Sequence, residues 1–179
     1  MSLKYSQGSN RERMKAFLTS GRTIVFLGLA FLALTIGFGV WIQAYNLHII
    51  DEISDPDQIR AVVSAMTPEQ RSAHWWMTLV LDYFYPLAYG GFFAGMALRF
   101  FGKAGPLLAL PALICIPADV IENTVQLFIL SGDESLIWLK AIMTPLKLAT
   151  FIPAALIALI GIGIALYRRF LQKDDLPAS

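Results

Sequence analysis

Apolar residues run almost unbroken over roughly 23–45, 75–101, 105–131 and 136–167. Each run is long enough to cross ~30 Å of hydrocarbon as a helix rising about 1.5 Å per residue. None alternates with the period of two that a membrane β-strand requires. Helices, which satisfy their own backbone groups in lipid, are therefore expected. The polar segment 46–74 between the first two runs carries two helix starts. Asp55, Pro56 and Gln58 have the pattern of an N-cap, a first-turn proline and a capping-box partner. Ile59, Val62, Val63 and Met66 then share one face. Thr67, Pro68, Glu69 and Gln70 repeat the start signal just ahead of the second run. The pattern predicts an all-α protein: an integral membrane four-helix bundle in a single domain, 1–179, with a short amphipathic helix at about 56–66 capping its outer side. The tails, about 1–14 and 172–179, are expected to be poorly ordered.

Composition strengthens the membrane reading. Apolar residues make up 56% of the 179 and charged ones 15%, with mean hydropathy +0.60. A chain with so few charges cannot solvate its outside in water. A net charge of +1 offers no footprint for nucleic acid. The distribution of charge sets an orientation. Lys4, Arg11, Arg13, Lys15 and Arg22 precede the first run, Arg99 and Lys103 lie in the second turn, and Arg168, Arg169 and Lys173 follow the last run. Asp51, Glu52, Asp55, Asp57, Glu69, Asp133 and Glu134 fall on the other side. The positive-inside rule puts both termini in the cytoplasm, in an inner or plasma membrane. Trp41, Tyr45, Trp75, Trp76 and Trp138 then form an outer aromatic belt. The first run has no small-x-small cleavage site after it and reads as a retained span.

Against this background the ionisable residues inside the runs stand out, because each costs roughly 2.5–3.5 kcal/mol to place in hydrocarbon. In the second run Asp82, Tyr85, Pro86 and Tyr89 fall at i, i+3, i+4 and i+7. In the third, Asp119, Glu122, Asn123 and Gln126 repeat that spacing, and in the fourth Lys140, Thr144 and Lys147 fall at i, i+4 and i+7. Each set makes one stripe along its helix. Counted from the outer ends, Lys140 lies roughly 6 Å deep, Asp82 10 Å, Glu122 13 Å, Lys147 16 Å and Asp119 18 Å. Lys147 is thus expected to pair with Asp119, and Lys140 to snorkel outward or meet Asp82. Three acids against two lysines leave one carboxyl without a countercharge. Such a group can donate a proton or a hydrogen bond, and this makes Asp82 and Glu122 the candidate acid/base residues. Tyr85, Tyr89, Asn123, Gln126, Lys140, Thr144, Asp119 and Lys147 are the candidate ligand-binding residues.

Other polar positions read as ordinary. His74 beside Trp75 and Trp76 is expected at the interface, and Cys115 is a lone cysteine with no metal-binding spacing. No cofactor or metal motif is present. Gly37, Gly39, Gly91, Gly95, Gly161 and Gly163 suit close helix packing, within the bundle or between protomers. The function expected is a site within the membrane that binds a lipophilic molecule with a polar end, such as a lipid or isoprenoid, with or without chemistry on it. An accessory subunit of a membrane complex, with a purely structural polar cluster, is the first alternative, and a proton-linked carrier the second. Expected partners are membrane lipids, a lipophilic small molecule, and a second copy or another membrane subunit.

Overall fold

The computed structural model describes residues 3–171, so Met1, Ser2 and the segment 172–179, part of the tails expected to be poorly ordered, lie outside the described residues. Those described residues form helices and no strand: α1 (Leu3–Thr19), α2 (Gly21–Tyr45), α3 (Pro56–Ala65), α4 (Pro68–Met77), α5 (Tyr85–Phe100), α6 (Gly105–Leu108), α7 (Leu110–Ser131) and α8 (Ile137–Leu171). Three helical stretches are long and apolar enough to cross a membrane: Gly21–Tyr45, Gly102–Ser131 and Ile137–Phe170. Their outward faces are apolar and uncovered. On α2 these include Phe26 and Ile36, exposed to 69% and 67%, and on α8 Leu159 and Ile160.

Two stretches depart from the expected elements. Residues 3–14 are helical, as part of α1. Lysine, arginine, glutamate, methionine and alanine are sound helix formers, and the helix runs up to Ser20, whose side chain accepts from the Thr23 N–H and starts α2. The apolar run 75–101 is also not one helix. It is divided into α4, a π-helical turn at Thr78–Asp82, a break at Tyr83–Phe84, and α5. The cause is local. Pro86 has no N–H with which to bond the Asp82 carbonyl four residues back. Asn123 Nδ2 fills that vacancy, donating to Asp82 O at 3.0 Å. The chain thus exchanges one helical hydrogen bond for a cross-helix one, and this fixes α5 against α7 beside the acidic residues.

The end of the molecule that carries α3 is tied together by polar contacts. Thr67 and Gln70 form a reciprocal capping box at the head of α4. Asp55 caps α3 differently from the expected box, with its Oδ1 accepting from Asp57 N at 2.8 Å. Arg71 donates to the carbonyls of Ile129 and Leu130 at the end of α7. Arg60 bridges from α3 to Glu134 at 2.9 Å. Gly132, at φ 97°, provides the left-handed residue that ends α7. Beneath these contacts Ile59 and Val63 of α3 pack with Ile50, Val125, Ile129, Leu130 and Ile137. Toward the other end, Tyr89, Phe93, Ala94 and Ala97 of α5 meet Ala112 and Cys115 of α7 and Ala154 and Ala158 of α8. Small residues on all three helices let the backbones approach closely.

Candidate functional site

The stripes on α5, α7 and α8 converge between these two cores. Glu122, Asn123, Gln126 and Lys140 have no exposed surface, and Asp82, Asp119 and Thr144 are almost as deeply buried. Glu122 is the hub. Its Oε1 accepts from Lys140 Nζ and, at 2.7 Å, from Thr144 Oγ1. Its Oε2 lies 2.5 Å from Lys147 Nζ. Asp119 Oδ1 stands farther from Lys147, at 3.4 Å, and Asp119 Oδ2 accepts from Tyr89 OH at 2.8 Å. The ammonium of Lys147 also donates to the Asp51 carbonyl at 3.2 Å. The pairing therefore differs from the one drawn from depth alone. Lys147 lies nearer Glu122 than Asp119, and Lys140 turns inward to Glu122 rather than outward or to Asp82.

Two residues expected elsewhere join the cluster. The segment after α2 dips into the bundle, burying Leu47 and Ile50 completely or nearly so, and brings Asp51 with it. Gln126 Nε2 donates to Asp51 Oδ1 at 3.1 Å and to Thr78 Oγ1 at 3.0 Å. His74 is fully buried rather than interfacial, with Nε2 3.6 Å from Asp51 Oδ2. Burial works to raise the Asp51 carboxyl, but the imidazole of His74 beside it and the charge of Lys140 outweigh it and hold it well below the usual carboxylate range. A signal for His74 existed in the sequence, since His74, Thr78 and Asp82 continue the α5 stripe backward in steps of four. For Asp51 the hint was weaker: Leu47 and Ile50 are too apolar for an exposed loop.

A cavity of ≈ 280 Å³ opens onto this cluster. Its polar wall is Thr35, Asp51, Glu52, Asp82, Tyr85, Tyr89, Asp119 and Lys147, and its apolar wall includes Phe38, Met77, Leu148 and Phe151. Tyr85 is held by Thr35 Oγ1 at 3.2 Å, and its ring stacks edge-on with Phe38 and Tyr89. Glu122, Asn123, Gln126, Lys140 and Thr144 are not among the residues lining this cavity. They brace its wall. A second, larger cavity of ≈ 790 Å³ is an apolar groove between α2, α5 and α8, with Arg99 and Arg169 at one end. Phe151 lines both cavities, and Phe31 of the groove packs on Tyr85 and Tyr89. Among the described residues no group of three or more His, Cys, Asp or Glu side chains is arranged to hold a metal ion.

The division of labour at Lys147 makes a measurable difference. Asp119→Asn keeps an acceptor for Tyr89 and leaves Lys147 its contact with Glu122. Its expected cost is about 1–2 kcal/mol, below the ~3–5 kcal/mol of stripping a buried ion of its only partner. Thermal unfolding of the detergent-solubilised variant checks this, and a loss as large as that of a Glu122 variant contradicts the assignment of Glu122 as hub. Comparison of the chain with models of known protein families, with curated proteins and with solved structures finds no match.

Proposed function

We propose that the chain is a polytopic membrane protein that binds a lipophilic molecule with a polar end. In this reading α2, α7 and α8 cross the membrane, and α4, the π turn and α5 together make a fourth crossing in a four-helix bundle. The amphipathic α3 lies over the outer end. Both termini are cytoplasmic, in an inner or plasma membrane. Arg99 and Arg169 at one end of the apolar groove, and the acid-rich loops at the other end of the chain's crossings, support that orientation.

The observation that carries the reading is a pair of unlike cavities that share Phe151 as a wall. One is small and walled by acids, tyrosines and a lysine, and the other is long, apolar and flanked by helices whose outer faces suit lipid. Ligand sites are mostly apolar concavities with a few convergent polar groups, which is the composition of these two taken together. Asp82 is the candidate for proton transfer to a bound ligand. Glu122, engaged by two lysines and a threonine, is a positioning residue. The same closed hub is what favours the second reading, an accessory subunit whose polar cluster only sets helix register.

The test uses the two rim residues Thr35 and Leu148, which line the polar cavity from α2 and α8 and are exposed enough to accept bulk. The wild-type protein is extracted in mild detergent and weighed by native mass spectrometry, beside Thr35→Trp and Leu148→Trp. The expected result is a bound small molecule on the wild type and about tenfold lower occupancy on both variants at unchanged melting temperature. A wild type that carries nothing, or variants that keep the adduct, overturns the proposal in favour of the structural cluster.

A further inference from the structure

The charges facing the smaller cavity are unequal. Asp51, Glu52, Asp82 and Asp119 line it against one lysine, Lys147. That lysine is already shared among Glu122, Asp119 and the Asp51 carbonyl. Lys140 is spent on Glu122 behind the wall. Asp82 is left over. It is 5% exposed, no cation among the described residues reaches it within 4.0 Å, and the side chain within hydrogen-bonding reach of it is another acid, Asp51. Asp119 Oδ1 lacks a hydrogen bond. Two largely buried carboxyls as close as Asp82 and Asp51 must share a proton or take up a cation between them.

The remaining walls narrow what can arrive. Phe38, Tyr85, Tyr89 and Phe151 form a chain of rings with centroids 5.1, 5.3 and 5.0 Å apart. Aromatic faces beside carboxylates attract cations and offer nothing to an anion. A phosphate or carboxylate head would face four acids, whereas an ammonium would find acceptors on Asp82, Asp51 and Asp119. We infer that the polar end recognised here is an ammonium group on an apolar chain, seated between the neighbouring carboxyls of Asp82 and Asp51 beside the Tyr85 ring, with the chain directed toward Phe151 and the groove. This inference rests on the ligand-site reading and adds the chemical class of the ligand. Two sources share that chemistry: a single-chain amine, and the head group of an ethanolamine lipid.

The experiment compares octylamine, octyl phosphate and octanol as competing probes in the same detergent micelles, read by native mass spectrometry. The expected order is amine first, about tenfold or more over octanol, with octyl phosphate weakest. Asp82→Asn should reduce the amine-over-octanol ratio about tenfold, and a melting curve confirms that the variant is folded. Added phosphatidylethanolamine that displaces octylamine assigns the lipid head group. Failure of both that lipid and phosphatidylglycerol to displace it assigns the single-chain amine. Equal binding of all three probes, each lost in Leu148→Trp, overturns the cation preference but leaves the ligand site standing. Preference for octyl phosphate, or displacement by phosphatidylglycerol alone, also overturns it. No binding of any probe ends both readings.

Discussion

Replacing Glu122 with glutamine is expected to lower the melting temperature of the detergent-solubilised protein by roughly 10 °C, the largest effect of any single polar substitution in the cluster. Glutamine keeps the size and an oxygen for Thr144, but it removes the charge that holds Lys140 and the nearer charge that holds Lys147. Lys140 has no exposed surface and no other carboxylate within ion-pair distance among the described residues. It would remain as a buried ammonium facing a neutral amide, a situation that costs about 3–5 kcal/mol when one partner of a buried pair is removed. For a domain of this length each kcal/mol moves the midpoint by about 2–4 °C. Removing both partners tests the cause. In Glu122→Leu with Lys140→Met the buried charge is gone, and apolar replacement of a buried pair is often neutral or better. Lys147 keeps Asp119 and the Asp51 carbonyl. The double variant should therefore melt above Glu122→Gln. If it melts lower, side-chain volume rather than the stranded ammonium sets the cost.

The same hub shows what was readable in the chain and what was not. That Asp82, Asp119, Glu122, Lys140 and Lys147 belong together follows from helical spacing and the expense of charge in hydrocarbon, and both are written in the sequence. Who pairs with whom is not. Depth counted from helix ends ranks backbone positions, but a lysine stem spans a full helical turn, and Lys140 uses that reach to meet Glu122. Asp51 was harder still, because a loop has no periodicity from which its path can be read, and only Leu47 and Ile50 before it mark it as buried. The break in the second apolar run is half legible. Pro86 announces a missing hydrogen bond, but the π turn upstream and the replacement donor, Asn123, depend on where α7 stands. The proposed cation preference rests on that placement, since it is the loop carrying Asp51 and Glu52 that turns the balance of the cavity strongly acidic.

The glycines supply the second large effect, and it separates two kinds of position that look alike in sequence. Gly95→Ala is expected to destabilise by about 1–3 kcal/mol, the usual range for forcing extra atoms into a filled interface. A Cβ at Gly95 would stand 2.7 Å from the Leu18 carbonyl oxygen and 3.1 Å from Ile24 Cγ1. The first of these is backbone at the end of α1, next to Thr19, whose carbonyl already accepts from Arg99, so it cannot swing away as a side-chain tip can. Gly91 meets only a side-chain tip, Leu27 Cδ1 at 3.0 Å, which can give way, but both glycines of the GxxxG pair face neighbours inside this chain, on α1 and α2. Gly39 has nothing within 4 Å of its would-be Cβ. There, alanine restricts the unfolded chain without meeting a neighbour, and Gly39→Ala should leave stability unchanged or raise it by up to about 1 kcal/mol. Melting curves of the two variants side by side check the contrast. If Gly39→Ala is the more damaging, its face is packed against another protein chain, and the groove beside α2 is then an interface with that partner instead of a path for a ligand's apolar tail.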